Sequence, residues 1–303
     1  AYMSGMNKNT KRIHIKQIVK DHWPEWFRLN LNKIPVDMRD SVSEAVEKML
    51  GCGDPKNGYT KYQCVSCEQQ HSRIVPFSCK CRCGKRYVDE WVDKQVDRIL
   101  NVSHRHTVFT IPEELRGRVY WNRDMLDDLC NLVASVIQRW YTSKSKKGGK
   151  KNLPKNWRGD EVGIIAVVHT FGRDMKFNPH IHALVTEGAL TPEGRWKPVS
   201  YIPYKYLRKA WQKVVLDLVN RRFGKETKMR NLVNSLYQRY KEGFYVHAET
   251  RMKDAKGAAR YIGRYLARPA IAEYRITGYD GKQVEFWYID HRTNRRVDES
   301  ITA

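Results

Sequence analysis

Two histidines stand one residue apart in the stretch FNPHIHALVT at 177–186. Side chains alternate faces along a strand, so His180 and His182 point the same way as Leu184 and Thr186, while Ile181, Ala183 and Val185 face the other side. Two imidazoles so placed suit a shared metal ion, although a half-exposed sheet surface carries such pairs as well. The preceding strand offers a third imidazole. His169 lies near the end of VGIIAVVHTF (162–171), and the segment FGRDMKFNP turns the chain back. An antiparallel return over about nine residues sets His169 roughly opposite His180. Three protein ligands would leave coordination positions open, which a catalytic metal requires.

A second group of reactive side chains lies in ARYIGRYLARP (259–269). The spacing predicts a short helix over about 254–267, ended by Pro269. Tyr261 and Tyr265 are then one turn apart on one face. Packing of two amphipathic rings on a sheet accounts for them equally simply, but Arg260, Arg264 and Arg268 flank them in the same segment. Guanidinium groups attract a DNA phosphate and favour a phenolate by proximity of charge. A tyrosine so activated is a competent covalent nucleophile.

The elements that must position these groups follow from periodicity. RDSVSEAVEKML (39–50) is helical, as is GKRYVDEWVDKQVDRIL (84–100), which leaves a cysteine-rich stretch. RHTVFTIP (105–112) is β-branched and aromatic, hence a strand. A helix is expected over 122–141, then a basic loop, KSKKGGKK (144–151), then the strands that carry His169 and the histidine pair. Helices at 204–223 and near 229–241, a strand at 243–250 (GFYVHAET), the tyrosine helix, and a hairpin around YDGK complete the order. Strands interspersed with helices and joined partly by hairpins indicate an α+β domain, an antiparallel sheet with helices on one side. The domain boundary is expected near 100–105, giving 1–103 and 104–303.

Composition limits the partners. The chain has 303 residues, with 56 Lys and Arg against 33 Asp and Glu, a net charge of +23. Such an excess points to a polyanion, nucleic acid first and an anionic membrane surface second. No apolar run approaches the roughly 18 residues that span a bilayer, and AYMSGMNKNTKRIHIKQ has no apolar core of a secretory signal. Of seven cysteines, Cys130 falls on the apolar stripe of a helix, and the other six lie between 52 and 83. Cys64-x-x-Cys67 followed by Cys79-x-Cys81-x-Cys83, with Cys52 before them, signals structural Zn²⁺ rather than disulfides. Four thiolates close a tetrahedral site. Which four of the six serve, and whether His71 substitutes, is left open by the spacing.

In combination these segments resemble a known group. A strand histidine pair around one apolar residue, followed by a tyrosine helix, is the pattern of HUH endonucleases. The segments HTVFTIPEELRG, VVHTFGRDMKFNPHIHALV, GFYVHAET and YIGRYLARPAIAEYRITGYDGKQVEFWY together resemble the bacterial insertion-sequence family numbered ninety-one, a two-tyrosine, Helitron-like branch. The resemblance covers about 50 to 290. It implies an HUH nuclease domain, a central antiparallel sheet with flanking helices, preceded by a small cysteine-rich zinc-binding domain. It implies a rolling-circle transposase that nicks and rejoins single-stranded DNA at transposon ends, hairpins included, through a 5′-phosphotyrosine. By position, His180 and His182 match the HUH pair, His169 the third ligand of Mg²⁺ or Mn²⁺, and Tyr261 and Tyr265 the nucleophiles. The family's zinc segment usually ends in a Cys-x-x-Cys pair, where this chain has the shorter CKCRCGKR. A cytoplasmic, nucleoid-associated bacterial protein is implied. No P-loop is present, so unwinding would fall to a host helicase.

Three other readings compete. A rolling-circle replication initiator or relaxase shares the chemistry. A zinc-dependent DNA-binding regulator without catalysis fits the charge and the cysteines but leaves the histidines and tyrosines unexplained. A histidine-triad nucleotide hydrolase needs a third histidine where Leu184 stands.

Overall fold

Residues 13–65, 72–77, 85–147, 160–199, 204–266, 269–290 and 293–303 are described by a computed structural model of the chain. The helices are α1 (Ile15–Asn30), α2 (Arg39–Leu50), α3 (Lys85–Val96), α4 (Glu113–Trp121), α5 (Met125–Lys147), α6 (Tyr204–Phe223), α7 (Thr227–Arg239) and α8 (Ala255–Gly263). The strands are β1 (Tyr59–Gln63), β2 (Ser72–Pro76), β3 (His104–Thr110), β4 (Ile164–Phe171), β5 (Phe177–Thr186), β6 (Gly188–Leu190), β7 (Trp196–Pro198), β8 (Val246–Met252), β9 (Ile276–Tyr279), β10 (Gln283–Ile289) and β11 (Arg296–Thr302). They fall into two compact units. One holds Gly84–Phe171 and Phe177–Arg268, and the other holds the remainder. This division differs from an expected boundary near 100–105, because α3 packs on α8 within the first unit.

The first unit is built on a four-stranded antiparallel sheet in the order β4-β5-β3-β8. Period-two alternation sorts its side chains cleanly. Phe109, Ile181, Ala183, Val185 and Val246 point to one face and join Leu129, Val133, Ile137, Trp211, Val215, Val219 and Leu236 from α5, α6 and α7 in one apolar core. Each large side chain so buried contributes about 1.5–3 kcal/mol. Trp211 is fully buried, and its Nε1–H donates to the Thr110 carbonyl at 2.7 Å, so its polar atom is satisfied. The opposite face carries the histidines together with Val167 and Leu184. Ala258 and Ile262 of α8, with Trp91 of α3, pack against it. Helices therefore cover both faces of the sheet rather than one, as the periodicity alone suggested.

One end of this sheet is locked by charge. Glu187 is buried; Arg105 Nε donates to its Oε1 at 2.7 Å and Arg251 pairs with its Oε2 at 2.5 Å. A buried carboxylate is tolerated because both oxygens are met by guanidinium groups.

The second unit contains α1, α2, the hairpin β1–β2 and the meander β9–β10–β11. The YDGK turn forms between β9 and β10, with Gly281 at φ 91°, a left-handed conformation that glycine adopts without strain. β11 adds a third strand beyond the expected hairpin. Tyr279 of β9 donates its hydroxyl to Asp21 at 2.8 Å and meets His22 Nε2 at 3.0 Å, tying the meander to α1.

Candidate active site

The hairpin β4–β5 sets the histidines. His169 pairs directly with His180 in its register, and Val167 pairs with His182. Paired residues on adjacent strands share a face, so three imidazoles converge. One ring nitrogen from each of His169, His180 and His182 lies within 4.8 Å of the others. His169 and His182 are buried and His180 half-buried.

The hydrogen bonds around the rings decide which nitrogens face inward. His180 Nδ1 lies 2.6 Å from the Asn178 carbonyl, an acceptor only, so Nδ1 carries the proton and Nε2 is left as a ligand. His182 Nδ1 lies 2.8 Å from His106 Nε2, which leaves His182 Nε2 for an ion. His169 Nδ1 and His180 Nε2 are 3.2 Å apart. Adjacent ligands on octahedral axes with bonds of about 2.1 Å sit about 3 Å apart, so the same separation serves as one edge of a coordination shell. The donor set fits a divalent ion.

Both tyrosines reach this face. Asp254 caps α8 by accepting from the Gly257 N–H at 2.7 Å, which fixes where the helix starts. Gly263 ends it, so the helix is shorter than the expected 254–267. Tyr265 is in the following turn, where its N–H bonds the Ile262 carbonyl at 3.0 Å and the Leu266 N–H bonds that of Gly263 at 3.1 Å. These three-residue bonds tighten the chain after Gly263. Tyr265 nevertheless stacks on His182, ring centroids 3.7 Å apart and planes within 21°. Tyr261 reaches the same histidine cluster by its hydroxyl, 3.2 Å from His106 Nδ1. The two tyrosine rings are 6.0 Å apart.

Arg264 is exposed, and its guanidinium lies 4.2 Å from the centre of the Tyr261 ring. Arg260 is exposed on α8. Arg268 lies outside the described residues. So do Cys67, His71, Cys79, Cys81 and Cys83. Of the expected zinc ligands, Cys52 is half-buried and Cys64 is exposed immediately after β1.

His106 is the participant that sequence reasoning missed. It is fully buried on β3, opposite Leu184 of β5, between His182 and Tyr261. Burial first, then the charges of Arg264, His247 and His180, pushes its pKa from 6.5 down to about 4, so it is neutral at physiological pH. A signal was present: His104 and His106 repeat the spacing of His180 and His182, and His106 falls within 105–112, the segment read as a strand.

Comparison with known proteins shows what the chain is similar to. Residues 18–111 match the model of the IS91 "Transposase zinc-binding domain", and residues 163–303 match a family described as "Putative transposase". The chain is 31% identical over 280 residues to the transposase for insertion sequence element IS801 of Pseudomonas savastanoi pv. phaseolicola, covering 88% of this chain and 65% of that protein. It is 27% identical over 251 residues to "Putative transposase y4qJ" of Sinorhizobium fredii, covering 76% of this chain and 61% of that protein. The chain thus spans somewhat less than two thirds of either relative. No solved structure shows significant similarity to it. Among the described residues, no helix is long and apolar enough to cross a membrane.

Proposed function

The chain belongs to the transposase family of the IS91 type, and from that premise we propose that it is a transposase that nicks and rejoins single-stranded DNA at transposon ends. In this reading the domain around β3, β4, β5, β8 and α8 is an HUH endonuclease. His169, His180 and His182 hold a divalent ion, Mg²⁺ or Mn²⁺, and Tyr261 and Tyr265 are the nucleophiles. The observation that carries the reading is the convergence of the three imidazoles and both tyrosines on one face of one sheet.

The chemistry follows from what each side chain offers. Tyrosine Oη attacks phosphorus, the bond to the 3′-oxygen breaks, and a 5′-phosphotyrosine and a free 3′-hydroxyl result. The ion, when bound, polarises the scissile phosphate and stabilises its growing charge. Arg260 and Arg264 are exposed beside the tyrosines, where they draw in the phosphate. Because one phosphoester replaces another, no nucleotide triphosphate is consumed. A second tyrosine allows a second strand to be held while the first is rejoined. Three neutral imidazoles favour Mn²⁺ over Mg²⁺, since imidazole suits transition metals and Mg²⁺ prefers oxygen.

The zinc-binding segment supplies grip. In this account four of Cys52, Cys64, Cys67, Cys79, Cys81 and Cys83 hold Zn²⁺ and order a basic module that docks on end-derived DNA. The net charge of +23 supports a polyanionic partner. The similar proteins are named as transposases, which favours that role over a replication initiator or relaxase of the same chemistry. A host helicase would supply unwinding.

The test is separation of binding from cleavage. His180→Ala and His182→Ala are each expected to abolish cleavage of a single-stranded end oligonucleotide while leaving its binding nearly intact. The ion acts on the transition state, whereas binding rests on Lys and Arg contacts to phosphate. Full cleavage by either variant rules out the metal assignment.

A further inference from the structure

We propose that His106 is a positioning residue that links the ion ligand His182 to the nucleophile Tyr261 through a single fixed tautomer. The inference rests on the endonuclease reading above and names a part that reading does not need. His106 is wholly buried, and both of its ring nitrogens are engaged, Nε2 at 2.8 Å from His182 Nδ1 and Nδ1 at 3.2 Å from Tyr261 Oη.

A neutral imidazole has one donor and one acceptor. When His182 ligates through Nε2, its single ring proton must be on Nδ1, and that N–H donates to His106 Nε2. The proton of His106 is then confined to Nδ1, and that N–H donates to Tyr261 Oη. The tyrosine oxygen therefore accepts, and its own proton points away from His106. His106 accordingly orients the nucleophile and is not its base. A ligand's second nitrogen is commonly held this way by a partner that fixes ring orientation. Here the partner extends the chain of bonds to the attacking atom. Tyr265 approaches by stacking its ring on His182 instead, so the two tyrosines are held by different means.

Two substitutions separate positioning from mere packing. His106→Gln keeps an acceptor and a donor about as far apart as the two imidazole nitrogens, whereas His106→Leu removes both. The probe is Mn²⁺, added to the full zinc-loaded chain without DNA and followed by electron paramagnetic resonance. His106→Leu is expected to weaken Mn²⁺ binding about 10–100-fold, the usual cost of removing such a partner, and His106→Gln to stay close to the unmutated chain. Covalent attachment to a single-stranded oligonucleotide is then scored in a Tyr265→Phe background, so that only Tyr261 reports. At saturating Mn²⁺, His106→Leu should still slow attachment and His106→Gln should restore it. Should His106→Leu not fold, nitrogen-15 spectra of the unmutated chain with Mg²⁺ carry the test, the expected result being a protonated His106 Nδ1. The inference is overturned if His106→Leu matches the unmutated chain in both measurements, if His106→Gln fails as His106→Leu does, or if His106 carries its proton on Nε2 in the Mg²⁺ form. An unmutated chain that neither binds Mn²⁺ nor attaches to DNA overturns the endonuclease reading itself.

Discussion

Mild acid should loosen the four-stranded sheet before most carboxylates begin to titrate. His106 is fully buried, and burial, aided by Arg264, His247 and His180, lowers its pKa from 6.5 to about 4. His104, on the same strand, is also lowered, chiefly by burial. The unfolded chain takes up a proton near pH 6.5 that the folded chain does not. The folded pKa lies below the unfolded one, so this contribution to stability is complete above pH 6.5 and is lost as pH falls towards 4. For His106 alone the slope is about 1.4 kcal/mol per pH unit, or about 3 kcal/mol over the whole window. That is a large part of the roughly 5–15 kcal/mol that holds a typical domain. Urea unfolding at several pH values between 7 and 4.5 measures it, with hydrogen exchange at β3 and β5 amides reporting on the sheet itself. His106→Gln cannot titrate, and its stability should fall with pH less steeply than that of the unmutated chain by about 1.4 kcal/mol per unit. Parallel lines for the two proteins would refute the reasoning, because the buried imidazole would then not be the group that takes up the proton.

Other consequences are as specific. A Cβ at Gly263 would sit 3.0 Å from Val92 Cγ2 and 3.2 Å from Val88 Cγ1, so Gly263→Val should cost about 1–3 kcal/mol by overpacking; calorimetry would show the lower melting temperature, and attachment to DNA should slow while Mn²⁺ binding persists. Replacing Cys64 and Cys67 together by Ser should release stoichiometric zinc, which elemental analysis reads directly, while amides of β3 and β5 keep their protection from exchange. Single-strand binding should weaken steeply between 50 and 200 mM salt, as about 0.7 counterions are released per phosphate neutralised; a salt-independent affinity measured by fluorescence anisotropy would contradict an electrostatic grip.

Much of the site was legible because short-range geometry determines it. The register of β4 on β5 follows from a tight reversal, so His169 could be placed opposite His180 from spacing alone. The partner of β5 on its other edge could not. β3 lies about seventy residues earlier in the chain, and nothing local tells which strand a distant one will pair with. His106 was missed for that reason, although its strand was recognised. The tyrosine segment was read as a continuous helix because YIGRY has helical spacing, but Gly263 favours termination and the chain tightens after it. α4 was missed where Gly117 interrupts a segment with little amphipathic contrast. The covering of both sheet faces was hidden for a related reason. Val88, Trp91 and Val92 form an apolar stripe on α3, but their packing against Gly263 is a tertiary contact.

Trapping of the covalent intermediate tests the central claim most directly. A single-stranded end oligonucleotide labelled 3′ of the nick is incubated with the chain and Mn²⁺, then resolved on a denaturing gel. Phenylalanine keeps each ring's packing and removes only the attacking oxygen, so a loss is assigned to chemistry. The account predicts labelled protein from the unmutated chain, some from Tyr261→Phe and some from Tyr265→Phe, and none from the double variant. Labelled protein that persists when both hydroxyls are gone would contradict it, as would complete strand transfer by Tyr265→Phe alongside total loss in Tyr261→Phe.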